Sequence, residues 1–262
     1  MDEITADPQK MNQTGGEDLS QTGQPQVNPV SGAALDQSLW SLLVQLSRKM
    51  QISSASIKAG VSSLLDYNIF WDGSTQHEFL ESINASTDQI SRLIMLLSLV
   101  FRAQAGSLEM KAEPQMLQEI VSMVREQFQK ESNGLVLEIT LPHAGKPVLV
   151  DYEYLMLALR FIFEVVSEIS PGPKTLNVFA FESVQGWKLD IVNSMSIMEF
   201  FALMVKDRMV ELLNSNTISP ENRLKLYIVY RIFLQTKILV ELVEYSDHKA
   251  GLRLIVPSAA DN

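Results

Sequence analysis

LSRKMQISSASIKAGVSSLL, residues 46–65, decides how the middle of this chain is built. In and around it Leu39, Leu43, Leu46, Met50, Ser53, Ile57, Gly60 and Leu64 recur at alternating steps of four and three, which is a heptad seam along one helix. Asp36 stands where the helix should be capped, and Ser53 and Gly60 read as the weak points of the seam. A linker, DYNIFWDG, leads to Thr75-Gln76-His77-Glu78, whose Thr and Glu have capping-box spacing. The second helix started there puts Phe79, Ile83, Ile90, Ile94, Leu97 and Phe101 on one stripe. An antiparallel hairpin of two such helices, with Trp40, Leu42 and Leu93 beside the seam, has an apolar face too wide to cover by itself. The favoured expectation is a second copy that closes a four-helix bundle. The other is that the downstream part of the same chain covers the stripe.

Composition sets the limits around this hairpin. The 262 residues are 46% hydrophobic and contain no cysteine and three histidines, which excludes disulfides, thiolate nucleophiles and cysteine metal sites and leaves little for a histidine-rich one. A formal charge of −10 opposes binding to polyphosphate backbones, so nucleic acid is not expected as a partner. The longest apolar run, Leu93 to Phe101, is about half of the roughly 20 residues that a bilayer span requires. No basic segment followed by an apolar one opens the chain. The expectation is a cytoplasmic protein that makes no membrane contact.

Four segments follow. Residues 1–34 are rich in Gln, Gly, Pro and Asp and poor in large apolar side chains, the composition of a disordered tail. Residues 35–106 form the hairpin, 107–258 a mixed domain, and 259–262 a short tail. Within the mixed domain SLEMK reads as a strand, and Pro114 suits the first position of a helix running to about Lys130. LVLEITL and PVLVD read as strands, and Asp151 caps the apolar helix YEYLMLALRFIFEVVSEI. TLNVFAFES and GWKLDIVNS make a strand pair, and a helix follows from about Ile197 to Leu213. A further helix starts at Ser219-Pro220, and KILVELVEY with LRLIVP closes the sheet. Strands grouped against helices give an α+β sandwich.

In this order the chain resembles the catalytic core of sensor histidine kinases, a dimerisation and phosphotransfer hairpin followed by a GHKL-type ATP-binding domain. LSRKMQISSASIKAGVSSLL stands where that family reads L-S-H-E-[LF]-R-T-P-L-x-S-I-x-G. FLESINASTDQISRLI, VLVDYEYLMLALRFIF and LKLYIVYRIF are similar to its second helix, the lead-in to its N box and the segment after its ATP lid. The likeness runs from Leu39 to Pro257.

The departures fall on the chemistry. The alignment puts Arg48 at the phosphoacceptor position, Lys49 at the acidic position that acts as base, and Ser53 at the helix-bending proline. Phosphorylation of histidine requires an imidazole nitrogen that a neighbouring carboxylate orients and deprotonates, whereas a guanidinium stays protonated and has no lone pair to attack with. The heptad register puts Arg48 on the outer face. There it is either a solvated residue or, with Lys49, a positive corner for an acidic partner. The family's N-box asparagine holds magnesium; here Glu168 of FIFEVVSEIS is the nearest match, able to ligate a hard cation though such a residue more often caps or solvates a helix end. Asn193 of NSMSI stands where the family has the adenine-binding aspartate, and both glycines of that motif are absent. Arg223 and Lys225 replace glycines of the phosphate-cradling G2 box and block backbone approach, though their charge can meet phosphate in another pose. An apolar helix, IMEFFALMV, stands in for the polar lid, and either fills the vacated pocket or offers a patch to a partner helix. His77, His143 and His248 read as surface histidines, and methionines such as Met95, Met110, Met116, Met123 and Met156 as core filler.

The resemblance and its losses together imply a homodimeric pseudo-histidine kinase that carries no cofactor. It would work by docking a response-regulator receiver domain or pairing with a true histidine kinase. Input would arrive through another protein or the N-terminal tail. The alternative is a divergent kinase that binds ATP and magnesium through Glu168 and Asn193.

Overall fold

The computed structural model describes residues 29–66, 73–131, 136–142, 145–169, 175–184, 186–245 and 249–259. His143, His248 and the centre of the DYNIFWDG linker lie outside the described residues, as does the tail up to residue 28. Helix α1 spans Pro29–Asp66 and α2 spans Gly73–Gln104. Residues 29–34, expected in the tail, therefore belong to α1, and Pro29 suits its first turn because proline there forfeits no intrahelical bond. Asp36 consequently lies inside the helix, and its Oδ1 accepts from Gln104 Nε2 of α2 at 2.5 Å.

The seam is real at each of its eight positions, all buried or half-buried. Its two supposed weak points are contacts. Ser53 Oγ donates to Gln89 Oε1 at 2.8 Å, and a Cβ on Gly60 would stand 2.9 Å from Ile83 Cγ1, so the missing side chain lets α2 come close. The stripe on α2 turns along its length. Phe79, Ile83, Ile90 and Leu97 are half-buried, whereas Ile94 and Phe101 are each 53% exposed and Leu93, Leu96, Val100 and Ala103 are buried instead. The reason is that this half of α2 lies against a later helix, Pro220–Thr236, as well as against α1.

The chain continues through β1 (Glu113–Gln115), α3 (Leu117–Glu131), β2 (Val136–Thr140), β3 (Val148–Val150) and α4 (Tyr152–Ile169). It then runs through β4 (Thr175–Ser183), β5 (Gly186–Ser194), α5 (Met195–Val205), α6 (Met209–Asn214), α7 (Pro220–Thr236), β6 (Leu239–Glu244) and β7 (Lys249–Val256). Five strands form one sheet in the order β2-β4-β5-β7-β6, with β2 parallel to β4 and the other pairs antiparallel. Alternation places Leu176 and Val178, Leu189 and Ile191, and Leu252, Leu254 and Val256 on one fully buried face, in one core with α3, α4, α5 and α7.

Four local expectations are corrected. SLEMK is not a strand; the strand is β1, displaced toward the C-terminus, where Pro114 pairs with Leu149 of β3. A two-stranded ribbon has free edges that tolerate a residue without an N–H, so Pro114 sits in a strand and the helix starts at Leu117. The single helix expected over 197–213 is two, because Asp207 adopts φ 54°, a left-handed turn that no helix continues through. Met95 and Met123 are 48% and 41% exposed, so they are not core filler. Asp151 does cap α4, accepting from Tyr154 N at 3.1 Å.

The hairpin is docked on the sandwich. α1 lies along α6 and α7 as well as α2, and in its N-terminal half Leu39, Leu42 and Leu46 are buried, none more than 3% exposed. Three leucines taken from water at about 1.5–3 kcal/mol each make the burial of this half of α1 chiefly apolar. The downstream domain thus covers part of the hairpin's apolar face within one chain. It leaves Trp40 and Val44 on α1 exposed, together with Ile94 and Phe101 on α2.

Candidate functional site

A cleft of about 370 Å³ lies where the hairpin meets α4 and α7. Four cationic side chains reach it, Lys49 from α1, Arg92 from α2, Arg160 from α4 and Lys225 from α7, against two carboxylates, Glu164 and Glu221. Leu93, Leu96, Leu157 and Phe161 form its apolar wall. Helical spacing builds the ionic part from short-range rules: Arg160 and Glu164 are four apart on α4, and Glu221 and Lys225 four apart on α7, so each pair shares a face.

Glu164 is the hub. Its Oε1 accepts from Arg160 Nε at 2.8 Å and its Oε2 meets Lys225 Nζ at 2.8 Å. Burial pushes this carboxyl up, but the charges and hydrogen bonds of Lys225 and Arg160 outweigh it and hold the group below the ordinary glutamate value. Lys225 also lies 6.0 Å from the centre of the Phe161 ring. At the other end Lys49 Nζ is paired with Glu221 Oε1. Arg92 has no ion-pair partner among the described residues, so the cleft holds a surplus of positive charge.

Of the residues singled out in the sequence, Lys49 and Lys225 are the two that meet here. Arg48 stands exposed on the outer face of α1. Glu168 is exposed on the last turn of α4, and Asn193 is half-buried in β5 opposite Ala250 of β7; neither lines the cleft. Arg223 turns the other way, buried at 6% exposure with Nη1 donating to the Leu213 carbonyl at 2.8 Å, so it caps the end of α6. Burial lowers its pKa, and its Nε has no partner among the described residues. The lid substitute contributes Phe201 and Met204 to the core, both nearly inaccessible. Sequence reasoning missed Arg92, Arg160, Glu164 and Glu221. The four-residue spacing of Arg160 and Glu164 was a usable signal; the meeting of Glu164 with Lys225 across two helices was not. Among the described residues no cluster of histidine, aspartate and glutamate is arranged to hold a metal ion, and no helix is long and apolar enough to cross a membrane.

This hairpin followed by a mixed α/β sandwich is the fold of the sensor histidine kinase catalytic core. It is similar to the Acinetobacter baumannii histidine kinase AdeS, with a TM-score of 0.55 and 15% identity over 80% of this chain and 96% of that one. It is also similar to full-length ShkA in complex with AMPPNP, with a TM-score of 0.51 and 13% identity over 82% of this chain and 46% of that one. Among curated proteins the sensor protein KdpD of Clostridium acetobutylicum is 21% identical over 153 residues, which is 58% of this chain and 17% of that protein. No family model matches the sequence.

Proposed function

We propose that this chain is a homodimeric, cytoplasmic pseudo-histidine kinase that works by binding a response-regulator receiver domain or a true histidine kinase, and that it neither transfers phosphate nor requires a cofactor. The observation that carries this reading is Arg48. By the likeness to the kinase family it takes the phosphoacceptor position, and it is exposed on α1; a guanidinium there cannot serve as nucleophile. The cleft agrees with it, since Lys225 is engaged by Glu164 and Arg223 is committed to the end of α6, so the two positions that would be phosphate-cradling glycines serve packing. The residues nominated for a magnesium nucleotide, Glu168 and Asn193, do not converge on the cleft. Dimerisation is supported by the apolar surface the docked domain leaves open. The Asp36–Gln104 hydrogen bond sets the register of the hairpin, and at that end Trp40 (63% exposed), Val44 (66%), Ile94 and Phe101 present themselves for a second copy.

The test is to incubate the purified chain with magnesium and γ-labelled ATP, and separately with labelled phospho-receiver domains. No acid-labile label should appear on this chain, while sedimentation should show a dimer that Trp40→Glu converts to monomer. Label on the chain that is lost in acid overturns the reading. The second reading, a divergent kinase, draws support from the positive surplus of the cleft. Saturable micromolar binding of ATP with magnesium in a calorimetric titration would favour it.

A further inference from the structure

We propose that Glu221 is an intramolecular competitor for Lys49, so that an acidic partner surface engages the Arg48–Lys49 corner by displacing the chain's own carboxylate. This rests on the reading of that corner as partner-binding. The two basic residues are adjacent in sequence but unequal in the fold. Arg48 is exposed and has no ion-pair partner among the described residues, whereas Lys49 is held by a carboxylate 172 residues away. Both ends of that pair remain accessible, with side chains 47% and 27% exposed, so carboxylates from outside can reach the lysine while the pair is formed.

Three features make Glu221 an exchangeable competitor rather than a fixed brace. Half-exposed ion pairs contribute little because solvent screens them, so the pair can be traded for another of equal kind. The hairpin packs along both α6 and α7 with Leu39, Leu42 and Leu46 of α1 buried, so the docking does not rest on this one pair. Glu221 lies in the first turn of α7, behind the Ser219 cap and Pro220, where the helix dipole favours a negative charge whether or not Lys49 stays. The neighbouring cation on the same helix face, Lys225, is occupied by Glu164 and does not replace Lys49. Glu221 therefore lowers the affinity of the corner for acidic surfaces and sets a threshold of charge density that a partner has to exceed.

The test uses the full chain and fluorescein-labelled octaglutamate, with Kd read by anisotropy at low ionic strength. Glu221→Gln is expected to tighten binding about threefold, the range for one exposed ion pair. The gain should vanish in the Lys49→Gln background, because the competitor then has nothing to compete for. Glu241→Gln, which removes the same charge on the far face of the sheet, should leave Kd unchanged. The proposal is overturned if Glu221→Gln binds as the unaltered chain does, if it tightens binding equally without Lys49, or if Glu241→Gln matches it. Should Arg48→Gln and Lys49→Gln both weaken binding while Glu221→Gln is silent, the competitor role alone falls. Should neither weaken it, the partner-binding reading of the corner falls with it. Thermal melts of all variants, expected within a few degrees of each other, guard against misfolding as the cause.

Discussion

Two carboxylates each hold two side chains in this molecule, and they do so to different ends. Asp190 of β5 is 1% exposed on the outer face of the sheet, where Arg253 of β7 donates Nε and Nη2 to it at 2.7 Å each and the Tyr245 hydroxyl donates to the same group. Arg253 is its registered neighbour across the ladder, and its guanidinium is 5.3 Å from the Phe181 ring centre. Among the described residues the set is a bidentate fork on a planar carboxylate, completed by one tyrosine hydroxyl. Glu164 has two partners as well, but both are cationic, one from its own helix and one from another, and further cations stand nearby in an open cleft. The first arrangement fixes strands to each other. The second leaves charge available for exchange, and that separates a structural clamp from a candidate site.

Breaking the clamp should have the largest effect. Asp190→Asn strands a mostly buried guanidinium and is expected to cost about 3 kcal/mol of stability in urea unfolding, with the cleft unaffected. Glu164→Gln keeps shape and hydrogen-bonding ability but loses the charge, and is expected to cost about 1 kcal/mol, since its partners can reach water. That loss should depend on acidity. The Glu164 carboxyl is held below the ordinary value of 4.5 in the folded chain, so its contribution is fully present above 4.5 and disappears as pH falls through the folded value. The stability difference between the unaltered chain and Glu164→Gln, followed by urea melts from pH 7 downward, should therefore shrink below about 4.5; a difference that grows would contradict the assigned partners. On the clamp side, burial and the hydrogen bond to Asp190 push Tyr245 up to about 12. Ultraviolet titration should show one tyrosine ionising near 12 that disappears in Tyr245→Phe. Smallest of all, Glu221→Gln should change stability by no more than about 0.5 kcal/mol, its effect being on binding.

The same contrast explains what the sequence disclosed. Heptad spacing around Leu46 and alternation in TLNVFAFES and GWKLDIVNS depend on neighbours a few residues away, and both hairpin and sheet were readable from them. Arg48 was placed on the outer face for the same reason. Position 60 was misread because a glycine in a seam looks like lost apolar surface until Ile83 is known to occupy the space. The break at Asp207 was hidden in a continuous apolar pattern, and the structure shows its carboxylate accepting a bond from Tyr230, 23 residues on. Arg92, Glu221 and the meeting of Glu164 with Lys225 were beyond reach for a stronger reason. Their importance lies in meeting across α1, α2, α4 and α7, and no local pattern encodes which helix faces which. Nomination by likeness chose Glu168, one turn along from the residue that faces the cleft.

Gly60 carries a mechanical consequence. With Ile83 seated against a bare backbone, sliding α1 along α2 by one turn in either direction would bring Ser56 or Leu64 to that notch and drive a side chain into Ile83. Telescoping of one helix along the other therefore requires the Ile83 side chain to give way. α1 also lies against α6 and α7, so any such displacement has to be accommodated at that platform as well.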